Sequence, residues 1–255
     1  MRNMARLALL PVAVLQLALL IIPSPEAGWG GGSVADIGLP PEQLIEGGLA
    51  LWAVIFLAFT AFAVIANLKP AHVEDRVAAP LALAGFISAV WLLASPYMDW
   101  IWLAPLVWFA AMLCAWEAAY RLDVIGGFDG TGRRLLTCMT VGLLTGWMVV
   151  NLALSLPPLG RWMFGLGYSE AVWMSLWVAL VPLIGIAWLF ASKVSRSLWF
   201  FVALGWGLIA LALHNWYIVE LHGLAIAALI VGWIVIGRRI RYGASGSRVT
   251  RNRLE

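Results

Sequence analysis

The chain is short of almost everything a water-soluble domain needs. Lys, Arg, Asp and Glu make up only 11% of its 255 residues. No polar stretch between its apolar runs exceeds about 20 residues, too little to bury a core of its own, so function must sit in the apolar runs or the short loops between them. Cysteine is limited to Cys114 and Cys138. Both fall near ends expected to face a reducing compartment, so no disulfide is expected to organise the fold, and both read as packing residues. No carboxylate, His, Lys or Arg lies at mid-depth in any apolar run. Ion pumps and proton-coupled carriers place ionisable groups there, which argues against that class and against axial ligation of a haem iron within the bundle. Nucleophile and metalloprotease signatures are missing, and the glycines of "DVIGGFDGTGRR" lack the Lys-Ser/Thr ending of a phosphate loop. The expectation is a protein that is not an enzyme.

What is present is apolar: 63% of residues are hydrophobic. Runs near 5–22, 44–66, 78–96, 100–120, 135–156, 170–191, 198–215 and 219–237 each approach the ~20 residues that cross a bilayer as a helix. The fold class expected is an all-α polytopic membrane protein with eight transmembrane helices. With a cytoplasmic amino terminus, every Lys and Arg but Arg161 falls on the cytoplasmic side, the bias that orients membrane proteins, so both termini are expected there. The net charge of +3 is thus a topological signal, not a nucleic-acid footprint. The first run is followed by "PSPEAG", a poor cleavage site, and reads as a retained helix. Pro23–Gln43 reads as an irregular outer loop, and "RRIRYGASGSRVTRNRLE" as a basic disordered tail held to anionic lipid.

Sixteen tryptophans are the main puzzle. Trp100, Trp102, Trp116, Trp162, Trp173, Trp199 and Trp216 fall near predicted helix ends, where an indole keeps its N–H wet. Trp52, Trp91, Trp108, Trp147, Trp177 and Trp206 fall deeper, where the N–H must find a partner or cost free energy unpaired. They either fill gaps between helices or sandwich a flat apolar ligand. Mid-membrane polar residues are Gln16, Thr60, Ser88, Thr145 and Asn151. Glu117 and Arg121 are spaced for a helical ion pair. Gly142 and Gly146 form a GxxxG pattern that brings another helix close, within the chain or in a homodimer. His214, Glu220 and His222 cluster between the last two helices with no metal-ligand spacing.

Three of these segments carry a family resemblance. "LWAVIFLAFTAFAVIAN" resembles the Trp-x-x-Leu-Tyr helix of the TspO/MBR family, the tryptophan-rich sensory proteins, with Trp52 at its Trp and Phe56 at its Tyr. "ISAVWLLAS" resembles the family's Leu-Asn-x-x-Trp, with Trp91 at the Trp and Ser88 replacing Asn. "GWMVVNLALS" resembles its helix-5 motif, with Trp147 at the Trp and Ser155 at an Asn position. The resemblance covers about residues 1–156 and is closer to eight-helix bacterial relatives. It implies a TspO-like five-helix bundle (1–156) and a three-helix extension (157–237) in a bacterial inner membrane, with the basic disordered cytoplasmic tail (238–255) following. It also implies a cavity framed by helices 2, 3 and 5, in which Trp52, Phe56, Trp91 and Trp147 stack on a flat hydrophobic molecule, a porphyrin or other tetrapyrrole, or a lipid. Ser88, Thr145, Asn151 and Ser155 would line or orient it. No metal or other cofactor is implied; the partners expected are the bilayer, that small molecule and a second copy of the chain. Two other readings remain open. One is a small-molecule transporter built from helices 2–4 and 6–8 as parallel repeats. The other is a membrane scaffold whose tryptophans are packing.

Overall fold

The computed structural model describes residues 2–21, 40–69, 72–98, 100–125, 130–166, 168–195 and 197–242. Most of the predicted outer loop, the centre of the glycine loop and the tail from 243 onward lie outside the described residues. Among the described residues the chain is all-helical: α1 (Arg2–Ile21), α2 (Ala50–Leu68), α3 (His72–Ala94), α4 (Leu103–Ile125), α5 (Thr131–Phe164), α6 (Tyr168–Leu189), α7 (Leu198–Tyr217) and α8 (His222–Tyr242). Seven of these are long and apolar enough to cross a membrane, and α8 contributes a shorter apolar stretch, His222–Gly237. Their outward faces carry large apolar side chains such as Leu57, Val181 and Trp233. The chain is a multi-pass integral membrane protein.

The helices close two rings that share one member. In the first, α1 packs on α2 and α3, α3 on α4, α4 on α5, and α5 back on α2. In the second, α5 and α8 are each flanked by α6 and α7. Helix α5 is therefore central: 72% of its span is buried, against 28% for α1 and for α6. Lipid is as apolar as leucine, so tight packing and interhelical hydrogen bonds, not removal of surface from water, must hold such rings together. Small residues serve that end in α3 and α4, where Ala78, Ala82, Ala89, Ala111, Ala115 and Ala118 are buried.

The glycine pair of α5 is used inside the chain. A Cβ on Gly142 would lie 2.6 Å from Trp199 Cβ, and one on Gly146 would fall on the Phe200 carbonyl and 2.9 Å from Ala203 Cβ. Both glycines thus admit α7. Gly146→Ala is expected to cost about 1–3 kcal/mol by overpacking, whereas Gly185→Ala, where an added Cβ meets nothing, gains up to about 1 kcal/mol from helix propensity. The midpoints of SDS-unfolding titrations would show the difference.

Two boundaries differ from the sequence reading. Helix α5 does not stop at 156 but runs through Pro157 and Pro158 to Phe164, so the expected division at 156/157 falls inside a continuous helix. Proline is tolerated in membrane helices because neighbours re-satisfy the freed backbone. The helix ends where Gly165 takes a left-handed conformation (φ 61°) and its N–H reaches the Arg161 carbonyl. Helix α8 likewise continues to Tyr242, past the expected start of the tail at 238.

Charged groups gather at one end of the first ring. Arg6 pairs with Asp75 at 2.9 Å, Arg133 donates to the Lys69 carbonyl at 2.6 Å, and Arg121 bonds Glu117 at 2.6 Å, as their spacing predicted, and the Arg76 carbonyl at 3.1 Å. The opposite end carries Arg161.

Candidate functional site

Within the first ring, near where α2 and α4 begin, four aromatic side chains from three helices meet. Trp52 of α2 lies one turn from Phe56, their ring centroids 5.1 Å apart. It faces Trp147 of α5 edge-on at 6.0 Å (86°) and Trp108 of α4 at 6.1 Å. All four are buried, Trp147 completely. Such centroid spacings are those of aromatic pairs in direct contact, each contributing about 0.5–1.5 kcal/mol beyond area burial. Trp108 enters through the α4·α5 contact and belongs to the cluster as fully as Trp147. In the sequence Trp108 counts among the deep tryptophans, but no motif there joins it to the expected cavity. Trp91 packs against the core from α3 and is half-buried, with no ring contact to the four among the described residues.

The polar residues expected to orient a ligand mostly turn to the backbone. Ser88 donates to the Gly85 carbonyl (3.0 Å), Asn151 to the Trp147 carbonyl (2.7 Å) and Ser155 to the Leu152 carbonyl (2.7 Å). The Thr145 hydroxyl lies 2.5 Å from the Val141 carbonyl and 3.3 Å from that of Ala115 in α4. Unsought, Thr140 ties α5 to the Ala58 carbonyl of α2 at 3.1 Å. One donor in the aromatic cluster is left over: the Trp147 indole N–H is buried with no partner among the described residues. An unmet buried donor costs about 1–3 kcal/mol, so it stands out as the group a bound acceptor would satisfy.

The other tryptophans read as deep are not in this cluster. Trp177 and Trp206 are 44% and 43% exposed on the outer surface of the second ring. Trp206 Nε1 donates to the Gly48 carbonyl at 2.9 Å, part of a clasp formed by residues 40–49 over the end of the bundle. In the same clasp His214 bonds the Pro40 carbonyl (3.0 Å), Asn215 donates to the Pro41 carbonyl (2.7 Å), and Glu42 pairs with Arg161 in a buried salt bridge. Arg161, the cation that the sequence reading sets apart from the others, is thus paired within the protein. Trp206→Phe is expected to lower stability by about 1 kcal/mol, one net hydrogen bond; an unchanged unfolding midpoint would show that the bond contributes nothing. The His222 and Trp216 rings meet at a tilt, centroids 4.4 Å apart, and both His222 and Glu220 are exposed whereas His214 is buried. Among the described residues no three His, Cys, Asp or Glu come together as a metal-holding group.

Neither family descriptions, curated proteins nor solved structures match this chain.

Proposed function

We propose that the chain is a TspO-like protein of a bacterial inner membrane, both termini cytoplasmic. It would take up a flat hydrophobic ligand, a tetrapyrrole or a lipid-like molecule, at the Trp52–Phe56–Trp108–Trp147 cluster for a sensory or regulatory purpose rather than for catalysis. The observation that carries this reading is the buried, unpartnered Trp147 N–H set among three other aromatic rings. An apolar molecule with one inward-facing acceptor fits such surroundings, since small-molecule sites are mostly apolar with a few placed polar groups. The gathering of Arg6, Lys69, Arg76, Arg121 and Arg133 at one end of the bundle supports the orientation.

The scaffold reading draws on a different observation. The rings already touch, and the hydroxyl and amide donors of Ser88, Thr145, Asn151 and Ser155 are spent on carbonyls, as in a packed core. The transporter reading has less behind it, because Trp177 and Trp206 lie at the surface. A titration of the detergent-purified protein with protoporphyrin IX, read by tryptophan fluorescence, separates these possibilities. The ligand reading expects saturable quenching that weakens in Trp108→Phe with Trp147→Phe but not in Trp233→Phe, a residue 80% exposed on α8. Unsaturable quenching, or quenching indifferent to the core pair, would leave the cluster as packing.

A further inference from the structure

The segment that leads into α2 is held in place by side chains from other helices. Pro40 and Pro41 offer carbonyls but no backbone N–H, and donors of α7 meet those carbonyls: His214 Nε2 at Pro40 (3.0 Å) and Asn215 Nδ2 at Pro41 (2.7 Å). Glu42 pairs with Arg161 of α5. The Ile45 N–H donates to the Ala210 carbonyl of α7 at 3.4 Å, and Trp206 Nε1 to the Gly48 carbonyl at 2.9 Å. The regular structure in this clasp is a single 3-10 turn, Glu46–Leu49.

The clasp and the tryptophan cluster share one stretch of α7. A Cβ on Gly48 would lie 2.6 Å from Ala210 Cβ, and one on Gly207, a turn earlier in α7, 3.4 Å from the Trp147 ring. The clasp also runs directly into the first turn of α2, which carries Trp52. Trp52, Phe56, Trp108 and Trp147 are each at most 5% exposed, so a ligand reaches the Trp147 N–H only if something moves. The closed clasp carries its own cost: Glu42 Oε2, His214 Nδ1 and Asn215 Oδ1 are buried without a partner among the described residues. Water at the membrane surface would relieve each of them. Segments held by a few polar ties open at a fraction of the free energy of global unfolding.

We propose that residues 40–49 are an opening strap, which lifts off α7 at the membrane surface and admits molecules to the Trp52–Trp108–Trp147 cluster. Admission of a ligand rests on the reading of that cluster as a binding site; the opening itself does not. The test is hydrogen exchange of the Trp147 indole N–H in heavy water, followed by 15N-indole NMR of the whole chain in detergent. Trp116 is the control: its buried N–H also has no partner among the described residues, and it lies next in sequence to Glu117, at the charged end of the bundle. Trp206→Phe, which removes the tie to Gly48, is expected to speed Trp147 exchange roughly 5-fold, the worth of one net hydrogen bond, and to leave Trp116 exchange unchanged. Asn215→Ala, which removes the tie to Pro41, should act in the same sense and decides the matter if Trp206→Phe does not fold. Equal acceleration at both indoles, or none at Trp147, would overturn the proposal and make the clasp a fixed part of the fold. Protoporphyrin IX association, read by stopped-flow tryptophan quenching, should quicken by a similar factor. Selective acceleration at Trp147 with no porphyrin binding to any form supports the opening and sinks the ligand reading. Saturable porphyrin binding at an unaltered rate, with Trp147 exchange indifferent to both variants, overturns the opening and leaves the ligand reading standing.

Discussion

Glu42→Ala is expected to destabilise the folded chain by about 3–5 kcal/mol, because it strands the Arg161 guanidinium in a site only 9% exposed. The size of the effect reflects the stranded charge more than any net strength of the pair. Taking both ions out of water costs nearly what their attraction returns, so replacing the two together should be far milder. Glu42→Leu combined with Arg161→Met is expected to fall within about 1 kcal/mol of the native chain, or above it. The two SDS-unfolding midpoints, read side by side, distinguish a stranded charge from a lost tether. If the double variant is as unstable as Glu42→Ala, the clasp depends on the pair for position as well as for charge balance.

Trp147→Ala is the second large loss, about 3–5 kcal/mol. The indole is completely buried, meets Trp52 edge-on, and lies where a Cβ on Gly207 of α7 would come within 3.4 Å of its ring. One side chain therefore fills space between α2 in the first ring and α7 in the second. Trp147→Phe should behave differently. It keeps an aromatic ring in place and removes the unpartnered N–H, and relief of that donor, about 1–3 kcal/mol, offsets much of the lost packing. A Phe variant nearly as stable as the native chain, beside a badly destabilised Ala variant, would indicate that the N–H is not there for the fold. A Phe variant as damaged as Ala would mean the full indole shape is required by packing.

The all-helical, membrane-spanning character was legible because long apolar runs bounded by charge carry their own signal; of the eight expected spans, seven of the described helices are long and apolar enough to cross a membrane. Glu117 and Arg121 were legible for the same local reason: one helical turn separates them. What escaped was long-range. Nothing near Pro40 in sequence points to His214, 174 residues away, and the sole hint of the clasp was Arg161 standing as a lone cation on its side. The fifth run is apolar only to about 156, but α5 continues through Pro157 and Pro158 to Phe164, because the surrounding helices carry it through them. Trp108 was recognisably deep, but its place beside Trp52 depends on how α4 packs against α5. Trp177 and Trp206 show the converse: depth along a helix does not say which way a ring points, and both face outward.

The most direct test of the account is the indole N–H signal of Trp147 in a 15N-indole NMR spectrum of the detergent-solubilised chain, assigned by its loss in Trp147→Phe. If the aromatic cluster is a ligand site, adding protoporphyrin IX moves that resonance downfield as the N–H gains an acceptor, while the Trp233 signal stays in place. A Trp147 resonance that does not move at saturating ligand, or that moves no more than Trp233, would contradict the account and leave the four rings as the packed centre of a membrane scaffold.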